Sequence, residues 1–157
     1  MYKIRLVTIG KQKPGPHKEI SDEYLKRLKS DTVIQTIELT ETQFRSPAEK
    51  DKVLKTETEK IHKALPKNAF VIVLEATGKT FSSEKFASEL DRISENGTQE
   101  LVFIIGGPLG LSDKIKKEAG LLLSLSPMTM PHDLARVVLL EQVYRAMMIL
   151  KGKVYHY

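Results

Sequence analysis

The chain has 157 residues and a formal net charge of +5, with 41% apolar and 29% charged residues, which fits one domain able to bury its own core and favours an anionic partner such as RNA, DNA or an acidic surface. It contains no cysteine, so disulfides, thiolate nucleophiles and thiolate metal sites are excluded. Met1-Tyr2-Lys3-Ile4-Arg5 lacks the apolar run of a signal peptide, and no apolar stretch reaches the ~18 residues of a membrane span, so a cytoplasmic protein is expected.

Residues 2–9 read as a strand, followed by a loop rich in Lys, Gly and Pro from Gly10 to Pro16. Residues 18–29 place Ile20, Tyr24, Leu25 and Leu28 on one helical face, and residues 33–39 read as a second strand. Ser46-Pro47-Ala48-Glu49 has the form of a capping box with proline at the first helical position. It opens a long, charged helix to about Leu65, stopped by Pro66-Lys67-Asn68. Phe70 to Leu74 is a continuous apolar run, the pattern of a strand covered on both faces. Ser82 caps the next helix, with Phe81 and Phe86 spaced as a hydrophobic staple, Phe86, Leu90 and Ile93 as its buried stripe, and Asn96-Gly97 as its left-handed end. Leu101–Ile105 is another buried strand, Ser112 starts a short helix closing at Gly120, and Leu121–Leu125 is a third buried strand. Pro131 then opens a helix that runs to about Leu150. The alternation predicts an α/β fold: a mostly parallel sheet covered by helices on both faces, with residues 1–157 as one domain.

Parallel sheets bind ligands beyond the carboxyl ends of their strands. The segments after the three buried strands are therefore the first place to look: Glu75–Lys79, Gly106–Gly110 and Ser126–Pro131. Gly106 and Gly107 either let a backbone approach a ligand closely or only make a tight turn. Their spacing is neither a dinucleotide fingerprint nor a P-loop. On the first reading, Gly106→Val should abolish ligand binding and leave the fold intact.

The helix from Pro131 to Leu150 is apolar over most of its circumference, with Glu141, Gln142 and Arg145 on one side and Arg136 opposite. A single sheet covers one face, so a second copy of the chain is expected on the other, and a charge at Val143 or Met147 should give monomers. The alternative is a helix wedged centrally in a monomer. His132 and Arg136 lie one turn apart and follow the third segment directly. Arg136 fits either an RNA phosphate or base contact or a structural arginine bonded to carbonyls, and His132 a contact that orders the loop. Tyr155, His156 and Tyr157 offer stacking faces for a nucleobase, or ordinary tail packing. The four histidines, His17, His62, His132 and His156, have no metal-ligand spacing, and no metal is expected.

Ile105-Gly106-Gly107-Pro108-Leu109-Gly110, then Leu123 through His132, then Arg136-Val137-Val138-Leu139 with Glu141-Gln142-Val143-Tyr144-Arg145-Ala146, and finally Tyr155-His156, together resemble the ribosomal large subunit pseudouridine methyltransferase H family. The order and spacing of these motifs cover essentially the whole chain. The resemblance implies a SPOUT-type fold with a C-terminal trefoil knot, which the periodicity itself does not show. It implies a homodimer with its active site at the subunit interface. It implies methylation of N3 of a pseudouridine of 23S rRNA in the assembled ribosome, with S-adenosylmethionine as the cofactor. The cofactor residues it implies are Leu74, Gly106 and the stretch Leu125, Ser126, Pro127, Met128, Thr129 and Met130. Leu109 stands where relatives often carry an acidic or polar residue, so no polar contact is expected from that position, while the backbone contacts of the glycines are unaffected. Methyl transfer needs an in-line approach and stabilisation of the charge left on the ring. Arg136, Tyr155 and His156 are the expected catalytic residues, with either His156 or water taking the proton. Two other readings stand beside this one: a tRNA methyltransferase of the same superfamily, and a non-catalytic ribosome- or RNA-binding domain.

Overall fold

The structure is a computed structural model and describes residues 1–98 and 100–153. Strands β1 (Tyr2–Ile9), β2 (Thr32–Leu39), β3 (Ala69–Lys79), β4 (Glu100–Ile105) and β5 (Leu121–Leu123) form one sheet in the order β2-β1-β4-β3-β5. Every pairing is parallel. Helices α1 (Pro16–Leu28), α2 (Lys50–Ala64), α3 (Ser83–Glu95), α4 (Asp113–Glu118) and α5 (His132–Leu150) connect and cover it, with a 3-10 turn over Pro47–Glu49.

Strand alternation splits the core in two. Ile4, Leu6, Ile72, Leu101, Phe103 and Ile105 face the helices α1, α3 and α5. Val7, Ile9, Val73, Val102 and Ile104 face α2 and α4, meeting Ile61 and Ile115. Strands with both faces buried carry no polar alternation, which is why the sequence shows continuous apolar runs.

The caps lie where the sequence puts them. Ser82 Oγ accepts from Lys85 N at 3.2 Å, and Ser112 Oγ accepts from Ile115 N at 3.3 Å. At the capping box the Glu49 carboxylate accepts from the N–H groups of Arg45 and Ser46, and the first turn is 3-10 rather than α. The Phe81 and Phe86 rings stand 6.3 Å apart across the α3 cap.

Two expectations change. Glu75–Lys79 is not a loop: it continues β3, whose register against β5 shifts between Leu74 and Lys79. Gly78 belongs to this close approach, since a Cβ there would stand 2.6 Å from the Leu122 carbonyl oxygen of β5. The second change concerns α5. Sheet and partner are not its only possible covers, because α1 and α3 flank it within the chain. Val143 and Met147 are 1% and 2% exposed in the chain's own core, so a charge at either attacks folding before it attacks association. The face of α5 turned away from that core carries Leu134, Val138 and Arg145, all half-buried. No helix among the described residues is long and apolar enough to cross a membrane.

Candidate active site

The carboxyl ends of β3, β4 and β5 surround a cavity of about 450 Å³, within the range that accepts a cofactor-sized ligand. Leu74, Glu75 and Ala76 of β3 form one wall. Gly106 and Gly107, which follow β4, form the second, and the segment after β5 supplies Leu125, Ser126, Met128, Thr129 and Met130. His132 and Ala135, in the first turn of α5, close the end. Of the expected cofactor residues, Pro127 alone does not line the cavity, although it sits in the same loop.

The loops are held by local bonds. Gly110 N donates to Gly107 O at 3.0 Å, making a turn with Pro108 at its second position, and Gly110 takes φ +78° to leave it. Ser126 Oγ accepts from Met128 N at 3.0 Å, which turns the third loop back towards the cavity. Ser124 Oγ donates to the Ala76 carbonyl at 2.9 Å, tying that loop to the end of β3. A Cβ on Gly106 would lie 2.8 Å from Leu111 Cγ and 3.1 Å from the Gly110 backbone. The glycine is thus required by the packing of its own loop. This corrects the expectation that Gly106→Val spares the fold.

His132 and Arg136 do not bond each other: Arg136 is paired with a carboxylate, whereas His132 Nε2 is buried with no hydrogen-bond partner among the described residues. His132 Nε2 lies 3.2 Å from Asp133 Oδ1 and would be 3.5 Å from a Cβ on Gly10. Arg136 is 6% exposed, at the centre of the buried face of α5. Its Nη1 donates to Glu38 Oε1 of β2 at 2.6 Å. The same oxygen accepts from Gln12 N at 3.3 Å, so one carboxylate fastens the 10–15 loop, the end of β2 and α5 together. A carboxylate engages one end of this guanidinium, from a position the sequence reading did not single out, while its Nε is buried with no hydrogen-bond partner among the described residues. Tyr155 and His156 lie outside the described residues.

Glu57 is a further buried carboxylate, 3% exposed, accepting from Thr42 N at 3.0 Å. Burial pushes its carboxyl above the usual range, partly offset by that bond. Among the described residues no cluster of His, Asp and Glu could hold a metal ion.

A covered parallel sheet with a glycine turn and a hydroxyl-bearing loop around a cavity at its carboxyl edge defines an α/β enzyme of the kind that binds a nucleoside cofactor there. The chain belongs to the SPOUT methyltransferase family: residues 2–156 match the family described as "Predicted SPOUT methyltransferase". The ribosomal RNA large subunit methyltransferase H of Streptococcus gordonii is 45% identical over 157 residues, covering 98% of this chain and 99% of that protein. The protein of the same name from Caldicellulosiruptor saccharolyticus is 42% identical over 153 residues, with 98% and 99% covered. Among solved structures, a probable methylase family protein from Haemophilus influenzae Rd KW20 superposes with a TM-score of 0.56 at 10% identity, covering 98% of this chain and 70% of that one. A probable methyltransferase from Bordetella pertussis Tohama I gives 0.53 at 12% identity, covering 93% and 96%. These two likenesses are of fold.

The enzyme is a methyltransferase, and its cofactor is S-adenosylmethionine. The cavity fits that molecule: apolar walls for the purine and methylene groups, close backbone at Gly106 and Gly107, and polar groups at Ser126 and Thr129.

Proposed function

We propose that this chain methylates N3 of a pseudouridine in large-subunit ribosomal RNA, in the assembled ribosome, as a cytoplasmic homodimer of one knotted domain over residues 1–157. The observation that carries the reading is the cavity at the carboxyl edge, lined by Leu74, Gly106 and the 125–130 loop, in a chain matched end to end by large-subunit rRNA methyltransferases.

A second argument supports the dimer. α5 starts at the cavity with His132 and ends where Lys151 pairs with Asp31, at the amino end of β2. Its 19 residues span about 28 Å. The cavity and the carboxyl end of α5 thus lie at opposite ends of one helix, so in a homodimer with its active site at the subunit interface Tyr155 and His156 would serve the cavity of a second copy.

S-adenosylmethionine, when bound, supplies a methyl group bonded to a positively charged sulfur. The chain contributes position: the 106–110 and 125–131 loops hold the cofactor and exclude water. Tyr155 and His156 from the second copy position the base, and His156 takes the N3 proton. Arg136 holds the first turn of α5 against β2 through Glu38, so its role is positioning.

Mass spectrometry of 23S rRNA from a strain lacking the gene tests this reading. A methylpseudouridine that disappears, and returns with the intact gene, is the expected result. An unchanged rRNA, with a methyl group missing from a tRNA, assigns the enzyme to tRNA instead.

A further inference from the structure

The walls of the cavity are apolar side chains, backbone and small hydroxyls, apart from the His132 imidazole at one end and a single acidic group. Among the described residues that line it, Glu75 is the sole carboxylate. It follows the apolar run Val71–Leu74, whose Ile72 and Val73 are buried, at the point where the β3–β5 register breaks, and its side chain meets the cavity.

Glu75 is held from behind. Lys116 of α4 stands 2.6 Å from its Oε2. The hydrogen bond from Lys116 keeps the carboxyl below the usual carboxylate range, with smaller help from Thr77. Oε1 receives a long 3.4 Å contact from Thr77 Oγ1, and the Thr77 backbone N–H also bonds the carboxylate. With about four lone-pair sites, the carboxylate retains acceptor capacity beyond these bonds.

An adenosyl cofactor offers two kinds of group to such an acceptor: its cationic centres and its ribose diol. Lys116 already offsets the negative charge, which weakens the pull on a cation. A diol needs acceptor lone pairs rather than net charge. Strand-end carboxylates in α/β sheets meet ribose hydroxyls in this way. We propose that Glu75 accepts hydrogen bonds from the ribose diol of the cofactor, with Lys116 as the residue that positions it. This rests on the methyltransferase reading above and names a residue of its cofactor site that the sequence reading passed over.

Calorimetric titration tests it, with S-adenosylhomocysteine and its 2′-deoxy and 3′-deoxy analogues, on wild type, Glu75→Ala and Lys116→Ala. Thermal melting of each variant checks the fold. Hydrogen bonds to a charged acceptor predict that Glu75→Ala binds S-adenosylhomocysteine roughly ten- to a hundred-fold more weakly. The deoxy analogues should lose a comparable factor on wild type and little more on Glu75→Ala, the non-additive pattern of a shared contact. Lys116→Ala, which keeps the acceptor but frees it, should lie between. Wild-type affinity in Glu75→Ala overturns the proposal, and so does an equal loss for the ribose and deoxyribose ligands. A loss seen with S-adenosylmethionine but not with S-adenosylhomocysteine assigns Glu75 to the sulfonium and overturns it as well. If wild type binds no S-adenosylhomocysteine, the methyltransferase reading falls with it; if wild type binds and Glu75→Ala is indifferent, only this inference falls.

Discussion

Arg136 and Glu38 are 98 residues apart and meet at 2.6 Å, with the guanidinium side chain 7% exposed and the carboxylate side chain 30% exposed. That asymmetry makes a prediction. Removing the carboxylate leaves a buried cation with no partner, at a cost of about 3–5 kcal/mol. Removing the cation with its volume kept leaves a carboxylate that can turn to water. Glu38→Leu should therefore destabilise the chain by more than Arg136→Met does in urea unfolding; the reverse order would show that Glu38, not Arg136, depends on the pair. Glu57 gives a pH-dependent case. Its folded pKa is raised by burial, so the folded state binds the proton more tightly than the unfolded one. Stability from this group is full below the unfolded carboxyl pKa and declines as pH rises through the folded value. Glu57→Gln keeps an acceptor for Thr42 N and removes the buried charge, so the variant should gain stability relative to wild type at neutral pH and lose that advantage near pH 4. Melts across pH that keep the two curves parallel would show that Glu57 is solvated. Such partners are illegible in a sequence. Arg136 could be identified as buried because helical periodicity is local, but the strand that supplies its counter-charge depends on the order of the sheet.

Elements were legible where the signal is local. Ser82, Ser112, the Phe81–Phe86 pair and Gly97 mark helix ends through contacts within a few residues. Glu75-Ala76-Thr77-Gly78 reads as a loop because it is polar and ends in glycine, yet it is strand. Gly78 is there to let β5 approach, which only the pairing reveals. The same distinction applies to α5. Its apolar circumference is real, but α1 and α3 account for much of it. The test for a dimer thus belongs on the outward stripe rather than at Val143. Val138→Glu should yield monomers in sedimentation with a melting temperature within a few degrees of wild type, as expected for a half-buried surface position. Val143→Glu should instead unfold the chain, since an unpaired charge in that core is strongly unfavourable. A Val138→Glu protein that stays dimeric would remove this stripe from the interface.

At the scale of the whole molecule, the question is how a chain this small chooses one nucleotide. It has no Trp and ten Phe and Tyr together, whereas sequence-specific recognition of single-stranded RNA relies on aromatic stacking or added modules. What it has is a basic balance, with Lys11, Lys13 and Lys18 around the loop after β1, and Lys151 and Lys153 beyond α5. The first group follows Gly10, which lies near His132 at the start of α5, and the second follows the end of α5, where Lys151 pairs with Asp31. In a dimer that brings the tail of one copy to the cavity of the other, both would border the same substrate. Lysines track phosphates, and phosphate contacts position a ligand without reading its sequence. Binding to naked RNA should accordingly be weak and fall steeply with salt. Specificity then has to come from a shaped surface, and the assembled ribosome supplies one. Methylation should be efficient on intact ribosomes and slight on protein-free 23S rRNA, measured by methyl incorporation at matched rRNA concentration. Truncation of Tyr155–Tyr157 should reduce methyl transfer at least a hundred-fold, in line with the ~10²–10⁴-fold worth of a positioned proton-transfer group. Calorimetric affinity for S-adenosylmethionine should change little, because the tail would meet the base and not the cofactor. Equal rates on free rRNA and on ribosomes would defeat recognition by shape, and an unimpaired truncated enzyme would remove the tail from the active site.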